Sequence, residues 1–299
     1  MDQQGYELVD TVTPALADLM AQHRDRRDHW YAHEIVPWER GRNYRTEPWD
    51  ESQCTLSPEA RTSLVLNLLT EDNLPYYHAE IEKHLGDNDV VREWNHLWTA
   101  EEGQHAIAIR SYLLTSRNCD PVELEDDRLA TMEAGFESAY PSPIGAFVYT
   151  SAQELATRVS HRNAGRITDD EVAYELMGRI ATDENHHFMF YRGAVTAMLA
   201  EAPSAVLPHI YEVFSTFQMP GTGIPKFTKR AIEMAQAGVY NLRIHRDRVI
   251  EPLLRDWRIG SFTDLTADAA EIQQKLMELP ARLARQADLF ERRYGPVAG

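Results

Sequence analysis

The 299-residue sequence has only two cysteines, Cys54 and Cys119, and they form neither a disulfide framework nor a metal-knuckle spacing. Such sparse use suits a reducing, cytoplasmic setting. No run approaches the roughly 18 consecutive apolar residues of a membrane span. The start, Met1-Asp2-Gln3-Gln4-Gly5, is polar and unlike a secretory signal. Positive charge is scarce: 30 Lys+Arg stand against 47 Asp+Glu, a net charge of −17. A field of that sign repels phosphate and excludes a nucleic-acid partner. Alternation of apolar and polar residues is almost absent, so strands do not carry the fold.

What is present is helical periodicity, interrupted where the 15 glycines and 15 prolines fall. Helical patterns cover about 7–29, 57–85, 89–115, 123–134, 144–164 and 168–200. Three more follow, with breaks at Met219-Pro220-Gly221 and Trp257-Arg258-Ile259-Gly260. Ser57-Pro58-Glu59 opens one helix, with serine as cap and proline in the first turn. Thr168-Asp169-Asp170-Glu171 has the form of a capping box. Residues 30–54 hold Trp30, Trp38, Trp49, Pro37, Gly41 and Pro48, and are expected to form an extended arm. The pattern predicts one all-α domain over 1–299, a four-helix bundle elaborated by further helices.

Glu-x-x-His occurs at Glu93/His96, Glu102/His105 and Glu184/His187. With 27 glutamates and 12 histidines, about one such tetrapeptide is expected by chance, so the motif alone is weak. Residues i and i+3 share a helix face and can reach one metal ion. At roughly 100° per residue, Glu93/His96 points away from Glu102/His105, nine positions on. Trp94, Trp98, Ala108, Ile109 and Tyr112 accompany Glu102 and His105, which places that pair inward and Glu93/His96 on a solvated face. Ala173, Met177, Ile180, Tyr191 and Val195 share a stripe with Glu184 and His187. Carboxylates inside apolar stripes are costly unless paired or metal-bound.

Thirty-one residues before Glu102 stands Glu71, and thirty before Glu184 stands Glu154, each on an inward face. A Glu helix followed by a Glu-x-x-His helix therefore occurs twice, which is the donor pattern of a di-metal carboxylate bundle. Four carboxylates balance two divalent ions, and oxygen donors with two imidazoles suit iron, or manganese as a substitute. Pro75 removes the helix hydrogen bond to the Glu71 carbonyl and should kink the helix there. His78 and His161 face inward, either as extra ligands or as hydrogen-bonded core histidines. Asp183 either orients a ligand histidine or is a surface acid.

Thr70-Glu71-Asp72-Asn73-Leu74-Pro75, Trp98-Thr99-Ala100-Glu101-Glu102-Gly103-Gln104-His105, the stretch from Ser151 to Asn163 and Asp183-Glu184-Asn185-His186-His187 resemble the soluble acyl-acyl-carrier-protein (acyl-ACP) desaturases. This ferritin-like di-iron family includes plant stearoyl-ACP desaturase and mycobacterial relatives. Phe217-Gln218-Met219-Pro220-Gly221, Gly238-Val239-Tyr240 and Arg243-Ile244-His245 look closer to the mycobacterial branch. The likeness covers roughly Trp30 to Trp257.

It implies Glu71, Glu102, His105, Glu154, Glu184 and His187 as ligands of two irons. It implies Thr157 beside the oxygen-binding side, and Asp183 and Trp30 on a path to a ligand histidine. It further implies a homodimer, a ferredoxin-type electron donor and an acyl-ACP substrate. The plant motifs Glu-Glu-Asn-Arg-His and Asp-Glu-Lys-Arg-His lose their basic residues here. Cations for an acidic carrier must then be sought elsewhere, with Lys226, Lys229, Arg230, Arg243, Arg246 and Arg248 as candidates.

The activity expected is O2-dependent introduction of a cis double bond into a carrier-bound acyl chain. Rival readings are another ferritin-like di-iron oxygenase, such as an N-oxygenase or tailoring enzyme, and a non-enzymatic iron-storage ferroxidase. A radical-generating reductase subunit is a weaker rival, because its Asp-for-Glu first ligand is missing.

Overall fold

Long apolar-striped segments with good caps form helices, and every regular element among the described residues of the computed structural model is helical; those residues are 2–85, 87–221 and 223–295. The first helix, α1 (Gln3–Arg26), starts where the Asp2 carboxylate accepts the Gly5 N–H at 3.0 Å. The tryptophan-bearing arm follows, and it holds a short α2 (Ala32–Ile35) and two 3-10 turns, Trp38–Arg40 and Glu51–Gln53. Arg117, 1% exposed, pins it: its guanidinium lies 4.3 Å over the Tyr44 ring and donates to Gln53 and to the Glu47 carbonyl.

The helix expected over 57–85 is two helices, α3 (Pro58–Glu71) and α4 (Leu74–Leu85). Pro75 offers no N–H to the Glu71 carbonyl, and the chain turns at Asp72-Asn73 instead of merely kinking. There the Asn73 N–H reaches the Thr70 carbonyl at 3.3 Å, which also accepts the Tyr77 hydroxyl at 3.0 Å. Next come α5 (Asp89–Ser116), capped by Asn88, and α6 (Pro121–Ala134), capped by Asp120.

Helices α7 (Pro143–Arg166) and α8 (Glu171–Glu201) are joined by four residues and pack along one another. The α8 cap is Asp170, which accepts the Ala173 N–H at 2.9 Å. Thr168 is not the cap that a capping box would make it. Its hydroxyl turns back to the Gly165 carbonyl at 2.7 Å and closes α7, which moves the start of α8 two residues on.

The C-terminal part has more pieces than the three stretches expected. These are α9 (Pro203–Thr216), α10 (Phe227–Gln236), α11 (Leu242–His245) with a π-helical turn over Arg246–Ile250, α12 (Glu251–Asp256) and α13 (Ala267–Tyr294).

Two apolar clusters form the interior. One includes Trp94 and Trp98 of α5 and Phe188, Phe190 and Tyr191 of α8, with residues of α1, α7, α9 and α13. The other includes Ala108, Ile109 and Tyr112 of α5 and Ala173, Met177 and Ile180 of α8, with residues of α3 and α10. Along both α5 and α8 the changeover falls at the Glu-x-x-His tetrapeptide, so the polar centre sits between two dry regions.

Candidate metal centre

Four helices bring the six sequence-selected donors together. Glu71 ends α3, Glu102 and His105 lie one turn apart on α5, Glu154 is inside α7, and Glu184 and His187 lie one turn apart on α8. None is more than 7% exposed. Their donor atoms form two groups of four, Glu71, Glu102, His105 and Glu184, and Glu102, Glu154, Glu184 and His187. Within each group the atoms lie within 4.8 Å of one another, and Glu102 and Glu184 belong to both. Nδ1 of His105 is 3.0 Å from Glu102 and 3.7 Å from Glu71; Nδ1 of His187 is 2.7 Å from Glu102 and 3.7 Å from Glu154.

Proximity here does not make hydrogen bonds. Glu102 Oε1, His105 Nδ1, Glu154 Oε2 and His187 Nδ1 are buried without an aligned partner. Four such orphans converging on one point are expensive in a protein interior. Oxygen donors with two imidazoles are the set that suits a first-row transition metal, so the residues fit a metal centre. Glu93/His96 lies outside it, with Glu93 paired to Arg24 at 2.7 Å.

Without metal, protons do part of the neutralising. Burial, then the Glu184 and Glu102 carboxylates, push the Glu154 pKa well above the usual carboxylate range. Burial works to lower His187, but Glu102 and Glu101 overcome it and raise the ring to about 10. His161 rises to about 9 in the same way, burial opposing and Glu184 and Glu71 prevailing. Glu71 moves down: burial opposes, and His105 and His161 win.

The outer nitrogens of the two donor histidines meet different groups. Nε2 of His105 lies 3.4 Å from Asp183 Oδ2, which accepts the Trp30 indole N–H at 2.6 Å. Nε2 of His187 lies 3.0 Å from Glu101 Oε2. That carboxylate also meets His23 Nε2 at 2.8 Å and accepts Arg27 at 2.6 Å. Thr157 donates to Glu184 Oε2 at 2.9 Å. His161 joins the cluster, 2.9 Å from Glu71 and 3.2 Å from Glu184, whereas His78 stays outside it against the Thr99 hydroxyl at 2.8 Å. Sequence reasoning missed Glu101, His23, Arg27 and Trp98, whose indole donates to Glu154 at 3.0 Å. The Glu101-Glu102 doublet was a usable signal for the first; nothing local marks His23 or Arg27.

A family model described as fatty acid desaturase matches residues 4–297. The chain belongs to the fatty acid desaturase family. It is 38% identical over 296 residues to a Mycobacterium tuberculosis protein named as acyl-[acyl-carrier-protein] desaturase DesA1, covering 95% of this chain and 88% of the relative. It is 27% identical over 240 residues to the chloroplastic stearoyl-[acyl-carrier-protein] 9-desaturase 5 of Arabidopsis thaliana, covering 74% of this chain and 60% of the relative. The X-ray structure of M. tuberculosis DesA2, named as an acyl-ACP desaturase, superposes with a TM-score of 0.66 at 28% identity, over 84% of this chain and 99% of that one. This desaturase fold is thus an oxidoreductase scaffold, and no helix among the described residues is long and apolar enough to cross a membrane.

Beside the centre the desaturase has a narrow apolar cleft of about 50 Å³. Tyr77, Ile81, Trp98, Phe136, Ala146 and Tyr149 line it, with Gln153, the neighbour of Glu154. Trp98 therefore faces the cleft while its indole holds a donor carboxylate. The cations proposed for the carrier are mostly engaged: Lys226 with Glu123, Arg230 with Asp127, Lys229 with Glu233, Arg243 with Asp288 and Glu291, and Arg246 with Asp247 and Glu251. They do not form a free basic patch, because acids of the same surface pair them; Arg248 is exposed and has no ion pair among the described residues.

Proposed function

We propose that this chain is an O2-dependent acyl-ACP desaturase that introduces a cis double bond into a carrier-bound fatty acyl chain. The observation that carries the reading is the pair of four-donor groups sharing Glu102 and Glu184, next to an apolar cleft, in a chain of the desaturase family. In this reading Glu71, Glu102, His105, Glu154, Glu184 and His187 would hold two irons. When bound and reduced, the iron pair supplies O2 activation and the removal of two hydrogens from adjacent methylenes, O2 leaving as water with two electrons and two protons from outside.

The chain's own residues do positional work. Asp183, backed by the Trp30 indole, orients His105; Glu101, backed by Arg27 and His23, orients His187. Thr157 fixes one oxygen of Glu184, and Trp98 one oxygen of Glu154. The cleft holds an alkyl chain against the centre and keeps water away, turning an encounter into a fixed geometry. We further propose a cytoplasmic homodimer, a single desaturase unit per chain, supplied with electrons by a ferredoxin-type donor. Manganese fits the same donors as a substitute.

Mass spectrometry of products from iron-loaded protein, reduced ferredoxin, O2 and a series of acyl-ACPs tests this. A product two mass units lighter than its substrate is expected. Hydroxylated products alone, or no product from any acyl-ACP with two irons bound, would overturn it.

A further inference from the structure

The third Glu-x-x-His, Glu93 to His96, has no place in the carboxylate centre, and in the fold its two ends part. Glu93 turns to Arg24 of α1. His96 turns to α4, where its ring stacks on His78 with centroids 5.8 Å apart and planes at 14°. Glu82, one turn beyond His78, completes the group: one nitrogen from each histidine and one oxygen of Glu82 lie within 4.8 Å of one another.

Two details point to a cation. The Thr99 hydroxyl lies 2.8 Å from Nδ1 of His78. A neutral ring that donates Nδ1–H there keeps its lone pair on Nε2, the arrangement in which a second group fixes a metal-binding imidazole. Oε2 of Glu82 is shielded from solvent without a hydrogen-bond partner, and Glu82 has no ion pair among the described residues. Its neighbour Lys83 is taken by Glu80 at 3.2 Å. A shielded carboxylate oxygen with no partner, next to two stacked imidazoles, lacks only a positive charge.

We infer that His78, Glu82 and His96 form a mononuclear site for a divalent transition metal of the zinc class, separate from the carboxylate centre. Two imidazoles and one carboxylate select such an ion over magnesium or calcium, and exposed His96 leaves room for water as a further ligand. The site has a structural consequence. Only Leu85 of α4's twelve residues is fully buried, yet α4 supplies Tyr77, Glu80, Ile81 and His84 to the cleft. A metal bridging α4 to α5 would fasten a thinly buried wall of that cleft.

The test is zinc uptake by the iron-loaded protein, with zinc and iron per chain measured by elemental analysis after equilibration with Zn2+. Wild type is expected to hold one zinc more per chain than His96→Ala or Glu82→Gln, at equal iron content. Because His96 is exposed, His96→Ala should fold, which its unchanged iron content would confirm. Saturating Zn2+ should raise the melting temperature of wild type by about 2–4 °C and leave His96→Ala unmoved. Equal zinc content in wild type and His96→Ala would overturn the inference, as would an equal thermal shift.

Discussion

The centre is built from two halves with the same donors in the same order, Glu71 with Glu102 and His105, and Glu154 with Glu184 and His187, hung on unlike scaffolds. In the second half Glu154 lies inside an unbroken 24-residue helix packed along α8. In the first, Glu71 is the last residue of α3, and the chain turns before continuing as thinly buried α4. The donors of both halves are buried, and the cleft runs between α4, α5 and α7, so it borders both. The outer shells differ too: His105 meets Asp183 backed by a neutral indole, while His187 meets Glu101 held by Arg27 and His23. One repeated pattern of carboxylates and imidazoles is thus carried by an unbroken helix in one half and an interrupted one in the other, with unlike groups behind the two histidines.

The largest effects should come from the donors common to both halves. Glu102→Gln or Glu184→Gln should abolish desaturation, by more than about a thousandfold, and leave less than about one iron per chain by elemental analysis. Glu71→Gln and Glu154→Gln each touch one group only, and should leave about one iron. If all four variants retain iron equally, the halves are not joined through shared carboxylates.

Next are the outer shells. Asp183→Asn and Glu101→Gln should each weaken metal binding by about 10–100-fold, read from chelator competition. Glu101→Gln also leaves Arg27 facing a neutral group, so its effect should be the larger. Equal losses would show that the charge behind Glu101 is irrelevant.

A pH series sharpens the contrast between metal-free and metal-loaded chains. His187 and His161 are raised to about 10 and about 9 in the folded metal-free chain. Their unfolded values are about 6.5. A raised pKa contributes stability that is complete below about pH 6.5 and is lost as pH rises through 9 to 10. The metal-free melting temperature should fall across that window. The metal-loaded protein should fall less, since metal would take the place of the His187 proton and neutralise the Glu71 and Glu184 carboxylates that raise His161. The smallest effect is expected at Glu93→Gln: a surface pair with Arg24 is worth less than about 1 kcal/mol, and iron content should not change.

How much of this was legible in sequence follows from the range of each interaction. That these six side chains come together inside the fold could be read because each sits in its own helix's apolar stripe, a local property, and because the pattern repeats. Pro75 marked a disturbance after Glu71, but whether α3 bends or stops depends on Tyr77 and Asn73 gripping the Thr70 carbonyl. Thr168 was misread as a cap because its hydroxyl had two backbone options, and the end of α7 won. His23 and Glu101 are 78 residues apart, and no periodicity links them. The pairing of the candidate carrier cations was equally hidden, since Arg230 and Asp127 meet across two helices.

The measurement that bears most directly on the centre is iron per chain after anaerobic Fe(II) loading and desalting, wild type beside Glu184→Gln. Two irons in wild type and fewer than one in the variant are predicted. A wild type that keeps no iron, or a variant that keeps two, would contradict a two-metal centre built on Glu102 and Glu184.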